Sequence, residues 1–126
     1  MEINTELLTA ILDSYAYEVV FCDREHTVRF LNRAAKEKYG DILKVGNSIF
    51  NCHNENSRVK IEKFLARADS GEQGEMFEVL NETSGEREFF VPVRNADGAV
   101  IGYFERHEKF WTKDAADEPV INKPVY

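Results

Sequence analysis

Cysteine is scarce in this chain, with only Cys22 and Cys52 among 126 residues. Two thiols are too few for a secreted disulfide scaffold, and in a reducing compartment both are expected as thiols. Long apolar runs are lacking as well. No stretch approaches the ~20 residues that span a bilayer, and the start MEINTELL has neither the basic opening nor the apolar core of a signal peptide. No membrane contact and a cytoplasmic location are therefore expected. Basic residues are in deficit, 16 Lys and Arg against 23 Asp and Glu, for a net charge of −7. That field repels phosphate backbones and anionic lipid, so nucleic acid is not an expected partner. Catalytic arrangements are missing too: there is no Ser-His-Asp or Cys-His order with an orienting partner, no Gly-rich phosphate loop and no metalloenzyme helix. An enzyme is not expected. No internal repeat or low-complexity segment occurs.

What is present suits one ordinary domain. A chain of 126 residues buries roughly two thirds of its unfolded surface, and 43% apolar and 12% aromatic content, with nine Phe and five Tyr, supplies a core. The organising stretch runs from Gly46 to Gly71. Ile61, Phe64, Leu65 and Ala68 recur at helical spacing, with Lys60, Glu62, Lys63 and Arg67 on the other side. Asn54 and Asn56 are candidate caps, and Ser70-Gly71 is the stop. An earlier helix is signalled by Asn4 as cap, Ile3 and Leu8 as a clamp, and Leu7, Leu8, Ile11 and Leu12 as an apolar stripe.

Between these helices YEVVFC and TVRFL read as a hairpin turning through Asp23-Arg24-Glu25-His26, and Asn32 caps a helix that ends at Gly40. After Gly71 come three antiparallel strands. In the first, Met76, Glu78 and Leu80 are expected on one side and Phe77 and Val79 on the other. In the second, Phe89, Val91 and Val93 share a face opposite Phe90 and Pro92, and Pro92 favours an edge or a bulge. Asn95-Ala96-Asp97-Gly98 turns into the third, which is the longest. The order predicts an α+β domain with helices on one face of a five-stranded antiparallel sheet, plus the N-terminal amphipathic helix.

That order, with FCDREHTVRFLNRAAKEKYG at the opening, VGNSIFNCH before the long helix and RNADGAVIGYFERHE at the last hairpin, resembles the PAS superfamily of sensor domains. The resemblance covers roughly residues 5 to 111. Within the superfamily CHNENSRVKIE is similar to small bacterial PAS proteins with Cys-His at the start of the long helix. It implies a sensory module for residues 16–111, with residues 1–15 as the N-terminal helix and 112–126 as an extended tail. The flavin photosensor subclass carries a reactive Cys in an NCRFLQ-type helix. By spacing from Gly46 that place is taken by Ser48, with no RFLQ after it, so a flavin photoadduct is not expected. The usual Asp-Ile-Thr close is replaced by Lys109-Phe110-Trp111. An output helix is not expected in the segment after it, and sensing is expected to be reported through an unidentified signalling protein partner or through self-assembly.

The sharpest chemical candidate is Cys52-His53, whose thiolate and imidazole are metal ligands at a helix start. One adjacent pair cannot complete a zinc site, whereas haem needs only one or two axial ligands, so a haem redox or gas sensor using His53, with or without Cys52, is the alternative reading. The plain reading is a buried Cys52 and a His53 that hydrogen-bonds the helix start. Phe50, Phe64, Phe77, Phe89, Val91 and Phe104 are candidates to line a ligand pocket or equally to fill a core. Ser57 with Arg58 could hold an anionic group or face solvent. Glu105 to Lys109 read as an exposed charged strand face. Leu7, Leu8, Ile11 and Leu12 are the expected homodimer interface. The tail, with Pro119 and Pro124 and apolar pairs at Val120-Ile121 and Val125-Tyr126, is expected to be a strand-like docking arm or a mobile end.

Overall fold

A computed structural model of the protein describes residues 1–51, 55–81 and 85–109. The elements run α1 (Thr5–Asp13), β1 (Val20–Asp23), β2 (Val28–Leu31), α2 (Arg33–Tyr39), a 3-10 turn (Ile49–Asn51), α3 (Glu55–Asp69), β3 (Met76–Asn81), β4 (Glu86–Arg94) and β5 (Val100–Lys109). The strands form one antiparallel sheet in the order β2-β1-β5-β4-β3. This is the expected α+β architecture. Cys52, His53 and Asn54, the residues from Phe110 onward and thus the tail lie outside the described residues.

The helix boundaries follow from their caps. Asn4 Oδ1 accepts from Leu7 N at 2.9 Å and opens α1. Asn56 falls inside α3, so it is not that helix's cap. Its stop is as predicted, with Gly71 at a φ of 105° and its N–H bonded to Ala68 O. The stripe Ile61, Phe64, Leu65 and Ala68 is buried without exception. Phe64 stacks on Phe90 at 5.0 Å and meets Tyr103 edge-on at 6.0 Å, which seats α3 on the sheet. Arg24 grips Asp69 through two bonds of 2.8 and 2.7 Å, and Arg94 donates to Ala68 O and Glu72 O, so the β1–β2 turn and the end of β4 both hold the end of α3.

The strands show which parity faces the helices. Phe90 and Tyr103 are buried against Phe64, and alternation then carries Glu88, Glu105 and His107 to the helix side. Phe89, Val91 and Phe104 lie on the other face. Gly102 has its Cβ position blocked by the Cys22 carbonyl and the Phe21 ring, so only glycine lets Phe21 cross β5 there. In β3 a bulge at Glu78 breaks the expected alternation: Val79 pairs with Glu88 and joins the side of Met76. Pro92 lies past the end of the β3 pairing, where no neighbour needs its missing N–H.

Asn32 does more than cap. Its side chain, fully buried, accepts from Ala35 N at 3.0 Å and Val19 N at 2.9 Å and donates to Leu12 O at 2.9 Å and Tyr17 O at 3.0 Å. One carboxamide thus ties α1, the approach to β1 and the start of α2. Asn32→Ala would strand two buried N–H groups, and we expect it to lower the unfolding free energy by about 3 kcal/mol or more. Chemical denaturation measures this; a loss under about 1 kcal/mol would contradict the joint's importance.

Candidate functional site

A hollow of about 130 Å³ opens between β1 and β5 on one side and α2 with its following link on the other. Its walls are Val20, Cys22, Leu43 and Ile49, with Ile42 at the mouth. Tyr39 and Tyr103 add aromatic surface, and Glu18, Glu105 and His107 make one end polar. The size is close to that of a cavity that takes benzene, roughly 150 Å³.

Each polar group has a definite setting. Glu18 pairs with Lys38 Nζ at 3.1 Å. His107 is 5% exposed, and its Nδ1 lies 3.2 Å from Glu88 Oε1, a charge contact too bent for an aligned hydrogen bond. Its Nε2 is 3.9 Å from Glu105 Oε2. The Glu105 side chain, on the helix side of the sheet, is 22% accessible and lines the hollow. Burial pushes its carboxyl up to about 7, with Glu88 adding to the rise and His107 and Lys60 opposing it. Glu78 sits in the same field; burial, then Glu105 and Glu88, push it up to about 8, and its Oε2 is buried without a hydrogen-bond partner among the described residues. Glu88 is held below the usual range by His107. His107 itself is raised: burial works against its charge, but Glu88, Glu18 and Glu105 outweigh it. Tyr103 and Tyr39 are raised by burial.

Glu86, Glu88 and His107 bring ligand-type atoms within 4.8 Å of one another. With His107 already in charge contact with Glu88, and Glu86 3.9 Å from the same nitrogen, we assign the group as an ion-pair cluster. His26, at a φ of 65°, bonds Tyr103 Oη through Nδ1 at 2.8 Å and packs on Phe50 at 4.8 Å, closing the turn over the sheet. Burial, then Arg58, holds its pKa down.

Of the predicted ligand-binding residues, Cys52 and His53 lie outside the described residues, and the other seven do not line this hollow. Phe64 is core. Phe50 is covered by the Arg58 guanidinium at 3.9 Å, and Ser57 is in the first turn of α3. Phe89, Val91 and Phe104 are on the far face of the sheet, and Phe77 is at its edge, 58% exposed and edge-on to Phe89 at 5.6 Å. This hollow is lined from the neighbouring strand parity, whereas Phe64 and Phe77 line a second space of about 140 Å³ between α3 and β3–β4. Cys22, Tyr103, Glu105 and His107 were the missed residues; Glu105 and His107 sit in a charged run read as solvent-facing. Their alternation with Arg106 and Glu108 was the available signal. Haem does not fit the hollow as it stands, since its volume of about 130 Å³ is below the roughly 300–1,000 Å³ of pockets that enclose drug-sized ligands.

A family model described as PAS domain matches residues 8–106. Among solved structures, a C-terminal domain from Streptococcus mutans is similar at 16% identity and a TM-score of 0.67, covering 85% of each chain. The PAS domain of a Colwellia psychrerythraea protein is similar at 14% and 0.60, covering 83% of this chain and 95% of that one. A sensory box sensor histidine kinase from Vibrio cholerae follows at 13% and 0.55, covering 82% and 86%. No curated protein matches the chain in sequence. No helix among the described residues is long and apolar enough to cross a membrane.

The raised carboxyls make stability depend on pH. Glu78 and Glu105 lie above their ordinary value, so their contribution is fully present below about pH 4.5 and is lost as pH rises through about 7 to 8. His107 acts in the same sense, and the lowered Glu88 acts oppositely only as pH falls below its ordinary range. Denaturant unfolding is expected to show stability falling by about 2 kcal/mol or more from about pH 5.5 to 8.5. The double variant Glu78→Gln with Glu105→Gln should flatten that slope; a slope unchanged in the variant would refute the assignment.

Proposed function

The chain belongs to the PAS domain family, and on that premise we propose that it is a sensory or signalling module that binds a small ligand, a protein partner or both. The observation that carries the ligand half is the hollow, apolar along its walls and polar at one end, as ligand sites usually are. The similar structure described as a sensory box sensor histidine kinase fits a signalling role for the fold.

The partner half rests on α1. None of its residues is buried, and while Leu7 is half-buried, Leu8 and Ile11 of the apolar stripe are 50% and 56% exposed. A second copy would cover it through an isologous contact, and the dimer would transmit the liganded state to a signalling protein. Asn32 supplies a connection, because the carboxamide that holds α1 at Leu12 O also holds the segment entering β1, the strand that walls the hollow.

Native mass spectrometry of protein taken from its source cell reads both halves at once. A dimer carrying a small molecule is expected. Ile49→Trp should lose the small molecule and keep the dimer, while Leu8→Glu should lose the dimer and keep the small molecule. A bare monomer from cells would contradict the proposal.

A further inference from the structure

The charges around the hollow are unevenly matched. Glu18 is taken by Lys38, and Glu88 by His107. Tyr103 Oη is taken by His26. Among the described residues Glu105 has the far nitrogen of His107 as its ion-pair partner, at 3.9 Å, which is beyond hydrogen-bond reach. Among the described residues no Lys or Arg lines the hollow. Beyond the lining, Glu78 adds a further carboxyl to the same field, opposed by Lys60. The polar end is therefore rich in carboxylate, with Glu105 poorly matched and lining the hollow, while Val20, Leu43 and Ile49 offer apolar side chains.

A bound anion would be set against Glu18 and Glu105, and the one basic group of the lining, His107, already has Glu88 at 3.2 Å from its Nδ1 and Glu105 at 3.9 Å from its Nε2. A neutral apolar molecule would fill the walls and leave Glu105 as it is. A cation with N–H donors would gain both parts, burying an apolar body and giving the unmatched carboxylate a charge-assisted hydrogen bond in a site shielded from water. We propose that the hollow takes a compact organic cation, an apolar body of a few carbons bearing a primary ammonium or similar donor head, with the head against Glu105. The inference rests on the reading of the hollow as a ligand site. The volume limits the body to about the size of a short alkyl chain or a single small ring.

The test uses three probes of one shape, n-butylammonium, n-butanol and butyrate, added to the full chain and followed by calorimetry and by NMR shifts of residues around the hollow. Butylammonium should bind and butyrate should not. Glu105→Gln keeps the side chain's shape while removing the charge, and it should weaken butylammonium by at least ~30-fold while leaving butanol unchanged. Glu105→Asp, which keeps the charge, should retain more of the binding than Glu105→Gln. Butyrate binding as well as butylammonium, or butylammonium binding equally to wild type and Glu105→Gln, would overturn the cation assignment while leaving the hollow a ligand site. Failure of all three probes to shift the residues around the hollow would overturn both.

Discussion

The pairing of Phe90 with Glu105 across β4 and β5 is the constraint on which the candidate site depends. Side chains directly opposite in an antiparallel pair share a face, and Phe90 is drawn to the helix side by its stack on Phe64. Glu105 must follow it, and with Glu105 go His107 and Glu88, two residues along the same strands. The hydrophobic seat of α3 thus draws carboxylates into the interior a few ångströms away. A slip of one residue would bring Phe89 inward, turn the carboxylates to solvent and abolish the polar end of the hollow.

The helix-facing side of the sheet consequently has two regions. Where α3 covers it, Phe64, Phe90, Tyr103 and Ile61 make an ordinary packed core. Beside it, between β1, β5 and the link after α2, packing is incomplete and acids outnumber bases. A native core seldom leaves carboxyls so placed without a use, because each ionised group there is held at a cost in stability. The far face carries a different character, a row of Phe30, Phe21, Phe104 and Val91 paired across four strands, with Arg106 lying over Phe89 at 4.4 Å and clasping Glu75 at 2.7 Å.

The joints of this fold were legible because each depends on a residue with one suitable role. Asn4 and Asn32 cap helices, Gly71 stops one, and Asp97-Gly98 makes a hairpin turn, with Gly98 at a φ of 86°. The stripe of α3 was legible because a helix with four apolar residues at that spacing has only one side to bury. The site was much less so. In FFVPV both parities of the strand are apolar, so periodicity could not tell which Phe faces the helices, and the choice of Phe89 and Val91 as lining placed them on the wrong side of the sheet. The bulge at Glu78 shifted the remaining parity of β3, and no residue such as glycine announces it. Glu105 and His107 were read as solvated because a run of five charged or titratable residues usually is; only the register with β4 shows that alternate ones turn inward. The full capacity of Asn32 was hidden too, since a capping signal describes two of its bonds at most and says nothing of Leu12 and Tyr17.

The central claim is that Glu105 is an enclosed, poorly matched carboxyl facing the hollow. Carbon-detected NMR titration of its side-chain carboxyl in the unliganded protein tests this most directly. An apparent pKa near 7 is the result predicted; titration at the ordinary carboxylate value, about 4.3, would mean that Glu105 is solvated and would contradict the account.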